Sequence, residues 1–464
     1  MLQTNFIPPA PAPRVIPKRS HPTPQAYLRY FQIMMRNPLE IWTENHYNDF
    51  ILSGNLLGRH YAVVHDPEAI RHYLVTNASN YGIPDIRRAL FEPLIGQGLL
   101  NAEGEYWKRT RKALTPIFTP RHVHGFAETM TQIASERAQN YASRTDETIS
   151  MSKEMLHLTL DILMASLFSD ETLLDTSEVS DVLDEVLEKA GMPHAFDLMS
   201  APRWVPRIGR GEVYKLIATM RAKIALIVEE RRKSLATRKD APQDFLTLLL
   251  RAGEAEGAPL NDTEVIDNLL TFISAGHETT ARSLTWTIYL LSKDEAVRAK
   301  AENEIDNAPL SATDPKDWSE ILPYTTAVLK EAMRLYPAAA VFSRRALGPD
   351  RIGNVNIKEG SEIVTSPWVL HRHRKLWRDP DKFDPTRFLG EEAQSIPRFA
   401  YIPFGAGPRV CIGASFAMQE MVIILAKLMG AVRFQHAEPT EPQPVHRITV
   451  HPSTPVMMRI EKRH

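Results

Sequence analysis

The only cysteine in the chain, Cys411, lies in "IPFGAGPRVCIGA" (402–414), between glycines and two residues after Arg409. Gly405 and Gly407 permit a tight turn, and Pro408 stiffens it. An amphipathic helical pattern, "ASFAMQEMVIILAKLM", follows at once and is closed by Gly430, so Cys411 stands just ahead of a helix N-terminus. There the dipole and free amides favour an anion, which predicts a thiol held as thiolate. A thiolate is a nucleophile and also a soft metal ligand. Nucleophilic catalysis needs a histidine base, which this loop lacks and only a distant residue could supply. A dinucleotide loop fails, because Val410 stands where the third glycine of GxGxxG belongs. An inert cysteine leaves the glycines and Arg409 without a purpose. A single thiolate to haem iron needs one cysteine, a cation for the propionates and glycines that let the chain pass close to a flat ring. That reading uses every residue of the loop.

A second segment, "NDTEVIDNLLTFISAGHETTARSLTWTIYLLSKD", predicts an uninterrupted helix of about 30 residues, roughly 45 Å long. Asn261 and Glu264 have the spacing of a capping pair. Leu269, Leu270, Phe272 and Ile273 at one end, and Leu284, Trp286, Ile288 and Leu290 at the other, are apolar on more than one side, so this helix runs through the middle of the protein. Its centre, "AGHETT", breaks the pattern. Gly276 costs about 1 kcal/mol against alanine, and Glu278, Thr279 and Thr280 are costly if buried without partners. One reading is a solvated kink. In the other, Gly276 lets a large flat group approach, Ala275 and Thr279 share the face that meets it, and Glu278 and Thr279 handle protons beside it.

Glu331 and Arg334 in "VLKEAMRLYP" stand three apart on one helical face. Most such pairs are solvated and contribute little. If Arg387 of "KFDPTRFLG" met them, the three would clamp irregular chain against a helix. Three other patterns are set aside. "HETTA" has alanine at 281 and is not HExxH, and "GASFA" is not a GxSxG elbow. His371 and His373 in "HRHRKLW" have metal-binding chemistry, but the stretch reads as a basic surface loop.

The elements that must position these groups belong to a chain of 464 residues, 43% hydrophobic and 24% charged, the composition of a soluble globular protein. A net charge of −1 gives no general attraction to nucleic acid or to an acidic membrane. One cysteine excludes an intramolecular disulfide and a multi-thiolate zinc site. The proline-rich stretch at 1–30 contains neither signal peptide nor membrane span and predicts an extended surface segment. Other apolar runs are short and broken by charge, so a cytoplasmic protein without an integral membrane anchor is expected. "YAVVHDPEAIRHYLV" reads as a strand and then a helix opened by Asp66 and Pro67. Helical patterns dominate from Tyr106 to Leu291, among them "EVSDVLDEVLEKA". "NYGIPDIRRALFEPLIGQGLLNAEG" and "GMPHAFDLMSAPRWVPRIGRG" resist a regular reading, as lids or binding loops do. Past Pro337 short strands appear, ending in an apparent hairpin around Pro452–Pro455. The expected fold class is mainly α with a smaller β portion.

Together these residues resemble the cytochrome P450 haem-thiolate monooxygenases, from about residue 30 onward. The family signature F-x-x-G-x-R-x-C-x-G is matched by Phe404, Gly407, Arg409, Cys411 and Gly413. Its A/G-G-x-D/E-T-T motif is matched by Ala275, Gly276, Glu278, Thr279 and Thr280. Its E-x-x-R pair is Glu331 and Arg334, with Arg387 as the usual third member, and its W-x-x-x-R is Trp107 and Arg111. The resemblance implies haem b between the long helix and the cysteine loop, in a single haem domain at 31–464 without a fused reductase. Cys411 would ligate iron, with Phe404 near the sulfur and Gly413 allowing close approach. Arg409, Trp107, Arg111 and Arg344 (with Arg345 as rival) would hold the propionates. Thr279 and Glu278 would relay protons to dioxygen, and Glu331, Arg334 and Arg387 would lock the fold. Electrons would come from a separate ferredoxin, flavodoxin or flavoprotein reductase, and Lys108, Arg109 and Lys112 could dock it. The substrate would be hydrophobic, with Leu198, Met199, Trp204, Val341 and Phe342 lining its pocket, in a soluble bacterial-type enzyme. Alternatives are a peroxygenase or isomerase that needs no external electrons, or a haem-binding sensor.

Overall fold

The computed structural model describes residues 6–15, 24–56, 58–169, 210–237, 242–254 and 257–463, with four single positions between 170 and 209. The helices that position the site are α1 (Asp85–Ile95), α2 (Gly104–Leu114), α3 (Ala127–Ala142), α4 (Met151–Phe168), α5 (Gly211–Thr237), α6 (Asp262–Lys293), α7 (Glu295–Asn307), α8 (Pro323–Leu335) and α9 (Ala414–Ala431). Helix α6 begins where its cap dictates. Asn261 Oδ1 accepts from the Glu264 amide at 3.0 Å, and Glu264 Oε2 accepts from the Asn261 amide at 2.9 Å. Its buried hydroxyls are satisfied within the helix: Thr271, Thr285 and Thr287 each donate to the carbonyl four residues earlier. A helix with buried residues on all sides can therefore carry threonines without leaving polar groups unmet.

Helix α4 lies along α6. Thr159 Oγ1 donates to the His277 carbonyl at 3.0 Å, and a Cβ added at Gly276 would come within 3.1 Å of Leu163 Cδ2. Helix α9 is long and apolar enough to cross a membrane, but most of it is buried in the core, where Met421 to Ala426 form an unbroken buried run. It runs through Gly430, which does not close it.

The strands are β1 (Ile51–Leu56), β2 (Arg59–Val64), β3 (Tyr81–Gly82), β4 (Thr148–Ser150), β5 (Phe342–Ala346), β6 (Asp350–Ile352), β7 (Val355–Ile357), β8 (Glu362–Thr365), β9 (Val432–His436), β10 (Pro444–His446), β11 (Val450–Pro452) and β12 (Met457–Lys462). The largest sheet has the order β1-β2-β8-β5-β3. Its only parallel pair, among the described residues, is β2 with β8, in the register Ala62↔Ile363. A second sheet has the order β4-β12-β9.

Several expectations need correction. The segment at 80–104 contains helix α1, hidden in the sequence by Pro84 at its cap and Pro93 inside it, and ended by Gly96 at φ 52°. Strand β11 pairs with β10, while β12 pairs with β4 and β9, so there is no hairpin around 452–455. Pro452 and Pro455 lack the amide donors that such a ladder needs. The described part of the N-terminal segment, 6–15, contains no helix, in keeping with an extended surface segment, and it is tied to the body: the Pro9 carbonyl accepts from Tyr336 Oη at 2.8 Å, and the Phe6 carbonyl accepts from the Phe383 amide at 3.3 Å. The helical reading of "EVSDVLDEVLEKA" and most of the irregular segment at 191–211, with Leu198, Met199 and Trp204, lie outside the described residues.

Candidate active site

The Cys411 loop is built by close contacts that admit only certain residues. Gly407 has φ 73°, and a Cβ there would lie 1.9 Å from the Leu74 carbonyl oxygen, so only glycine fits. The Cys411 amide donates to the Phe404 carbonyl at 2.9 Å, which folds the signature back on itself. A Cβ added at Gly405 meets nothing within 4 Å, and one at Gly413 meets only Phe118 Cε1 at 4.0 Å, so both glycines border open space. Cys411 is solvent-accessible, yet burial raises its thiol, as happens to a group facing an interior hollow. The Gly413 amide and Arg111 pull the other way and only partly offset it. Burial thus weighs against the anion, while the helix end and Arg111 weigh for it.

Beside the loop, Arg409 Nη2 donates to the Ala102 carbonyl at 2.8 Å, and its guanidinium lies 4.4 Å from the ring centroid of Trp107 on α2. Burial, then Arg344 and Arg111, push Arg409 down to about 10. Arg87 on α1 is pushed down to about 9 by burial and then by Arg344 and Arg409. Arg344 is buried, whereas Arg345 turns outward to Asp85 at 2.6 Å, so Arg344 is the one that faces the cluster. Arg87, Arg111, Arg344 and Arg409 form no ion pair with a carboxylate among the described residues. Sequence reasoning missed Arg87, because it sits in a stretch read as irregular; only its neighbours in space identify it.

The Glu331–Arg334–Arg387 group does come together. Arg334 donates to both Glu331 oxygens at 2.6 and 2.8 Å, and both residues are fully buried. Arg334 also donates to the carbonyls of His371, Pro380 and Lys382. Arg387 reaches Glu331 at 3.5 Å and donates to the Asp379 carbonyl. His371 carries this order into the cysteine loop, since its Nε2 accepts from the Ile402 amide at 3.0 Å. The reading of 371–377 as a basic surface loop is therefore wrong: His371 and His373 are fully buried, and burial pushes His371 down to about 3. Three of the five donors on Arg334 and the imidazole acceptor are consumed by backbone that sequence could not show to be adjacent.

On α6, Ala275 is exposed and Thr279 part-exposed, although buried residues flank them on both sides. Thr279 Oγ1 donates to the Ala275 carbonyl at 2.9 Å. Gly276 also serves helix packing, because the space its missing side chain leaves is used by Leu163 of α4. Glu278 is buried, accepts from Thr449 Oγ1 at 2.8 Å and lies 3.5 Å from Arg282. On α2, Lys108 and Lys112 are exposed, but Arg109 turns to Glu264 and leaves the surface set expected for a docking partner.

These residues fit a haem. Four mutually repelling guanidiniums match a group that carries two carboxylates, two glycines border open space, and one sulfur ligand stands between them. The family model described as cytochrome P450 matches residues 28–459. Cyclooctatin synthase of Streptomyces melanosporofaciens is 31% identical over 396 residues, covering 83% of each chain. Carotene epsilon-monooxygenase, chloroplastic, of Arabidopsis thaliana is 30% identical over 433 residues, covering 87% of this chain and 78% of the relative. The solved haem domain of cytochrome P450DA superposes with TM-score 0.78 at 24% identity, covering 99% of this chain and 98% of that one. With the family model spanning nearly its whole length, the chain belongs to the cytochrome P450 family.

Proposed function

We propose that this cytochrome P450 monooxygenase inserts one atom of dioxygen into a hydrophobic organic substrate, with electrons delivered by a separate ferredoxin, flavodoxin or flavoprotein reductase. The observation that carries the reading is the cluster of Arg87, Arg111, Arg344 and Arg409 beside the only cysteine. Arg409, Trp107, Arg111 and Arg344, joined by Arg87, hold the propionates, and Cys411 supplies the iron ligand. When bound, haem supplies the dioxygen chemistry, and electron donation from the thiolate favours O–O cleavage.

The chain's own residues supply position and protons. Thr279 presents a hydroxyl on the accessible face of α6 and, by rotating off the Ala275 carbonyl, places its proton on that face. Glu278, beside it, carries the proton that replenishes the hydroxyl. Phe404 is half-buried next to the cysteine loop and limits water at the sulfur. Glu331, Arg334 and Arg387 keep the loop in place, and residues 31–464 act as one haem domain. A relative named for carotene supports an apolar substrate, and half-buried Val341 and Phe342 suit one. Lys108 and Lys112 give an acidic electron donor a surface to meet. A chain with one cysteine forms no intramolecular disulfide and suits the cytoplasm.

The test is the absorption spectrum of the reduced protein with carbon monoxide. A strongly red-shifted Soret band, lost in Cys411→Ser, supports the reading, and a band at the position of a neutral-thiol or histidine complex in fresh protein overturns it. Turnover with NAD(P)H and a reductase, in place of peroxide alone, distinguishes a monooxygenase from a peroxygenase.

A further inference from the structure

The helix Pro24–Arg36, "PQAYLRYFQIMMR", contains no acidic residue. Its inward face is set by Ile33, which is buried, with Tyr30 half-buried beside it. Gln25, Leu28, Arg29, Gln32, Met35 and Arg36 are all exposed, and their spacing of three and four makes them one outward face. Exposed apolar residues scattered singly are ordinary. Here Leu28, 61% exposed, and Met35, 45% exposed, each stand next to an exposed arginine. The pairing recurs in the extended segment, where Val15, 80% exposed, follows Arg14.

The two segments meet around an open cavity of about 360 Å³, lined by Arg14, Arg29 and Arg36 together with Pro11, Ile33 and Pro444. Arg447 adjoins it, donating to the Arg36 carbonyl at 3.0 Å. Among the described residues, Glu40 is the one carboxylate in the wall, and it is paired with Arg36. Arg14, Arg29 and Arg447 form no ion pair among the described residues. Cations in excess and apolar side chains in water therefore share one surface.

We propose that this surface docks the protein peripherally on an anionic lipid bilayer. Val15, Leu28 and Met35 enter the headgroup boundary, and a lipid phosphate takes the cavity among Arg14, Arg29 and Arg36. Arginine suits that boundary, because its stem lies along apolar surface while its fork holds phosphate in bidentate fashion. The overall charge of −1 does not oppose docking, since salt screens charges more than about 8–10 Å away and leaves the local excess to decide. A second copy of the chain fits less well, because this face against itself sets arginines against arginines. A free phosphate ester would use the arginines and leave Val15, Leu28 and Met35 in water. A bilayer also concentrates the apolar substrates proposed above, so docking would bring the enzyme to their source.

The test is co-sedimentation of the holoenzyme with vesicles of phosphatidylcholine alone and of phosphatidylcholine with phosphatidylglycerol. Binding to the anionic vesicles is expected to be tighter by about tenfold or more and to weaken as salt rises. Arg29→Gln weakens it about fivefold, the worth of one cation near a bilayer surface. Leu28→Ser weakens it by about as much through lost apolar area. Arg14→Gln and Met35→Ser, on a different segment and a different turn, give the same pattern should either first variant fold poorly. No binding to either vesicle, or equal binding to both, overturns the docking. Binding to anionic vesicles that all four variants leave unchanged overturns its assignment to this face. Two further results also overturn it: inorganic phosphate held in the cavity without vesicle binding, or a dimer dissociated by Leu28→Ser without vesicle binding. None of these readouts involves turnover, so docking and the monooxygenase reading fail separately.

Discussion

Two charged clusters flank the cysteine loop and are built on opposite principles. Around Glu331, every strong charge has its partner: a bidentate arginine, a second arginine at 3.5 Å and the Asp384 amide at 2.8 Å. Around Trp107, arginines meet arginines and push one another's pKa values down. The first cluster is complete in the polypeptide and fixes the loop whether or not a cofactor is bound. The second has no carboxylate partner among the described residues, and on the function proposed above the two propionates would relieve its repulsion. Ion pairs thus separate residues that stabilise the fold from residues that the proposed function assigns to the ligand.

The difference is sharpened by mutating each side. Glu331→Gln leaves Arg334 buried without its counter-ion, and stability falls by about 3–5 kcal/mol in urea unfolding, with little holoprotein recovered. Arg87→Leu acts in the other direction. The apoprotein unfolds at the same or higher temperature because a repelling charge is gone, while haem retention against apomyoglobin weakens about tenfold, the worth of one charge-assisted hydrogen bond. If Arg87→Leu instead destabilised the apoprotein as Glu331→Gln does, the two clusters would not differ in kind.

Acid should unfasten the complete cluster through His371. Its pKa falls from an ordinary value of about 6.5 to about 3 on folding, so the unfolded chain binds more protons between those values. Its contribution is present above about pH 6.5 and is lost progressively as pH falls toward 3. His46, pushed down to about 4, adds to the same trend. Thermal midpoints recorded from pH 7 to 4 decline, and His371→Asn flattens part of that slope. The smallest effect concerns packing between α4 and α6. Gly276→Ala forces Leu163 aside and costs at most about 1 kcal/mol, since alanine also gains helix propensity.

What sequence revealed depended on how local the signal was. Helix α6 was legible because Asn261 and Glu264 cap each other within one turn, and the Cys411 loop because its chemistry is written in ten consecutive residues. Helix α1 was obscured by its own prolines. The burial of His371 was not legible, because the Arg334 guanidinium and the Ile402 amide that enclose it come from remote segments. Arg344 and Arg345 are adjacent in sequence and were separated only by the strand pairing that turns Arg345 toward Asp85. The packing of Gly276 against Leu163, more than a hundred residues earlier, was not legible.

The pairing of β12 with β4 sets an order of events in the cell. Thr148–Ser150 finds its partner only when Met457–Arg459 has been made. At about 5–20 residues per second the ribosome takes roughly 15–60 s to cover that interval. During that time helices α3 and α4 exist without the sheet that joins them to the end of the chain. Closure of this sheet therefore waits until residues 457–459 have emerged from the ribosome. A nascent chain stalled before residue 457 should remain sensitive to protease at the β4 edge.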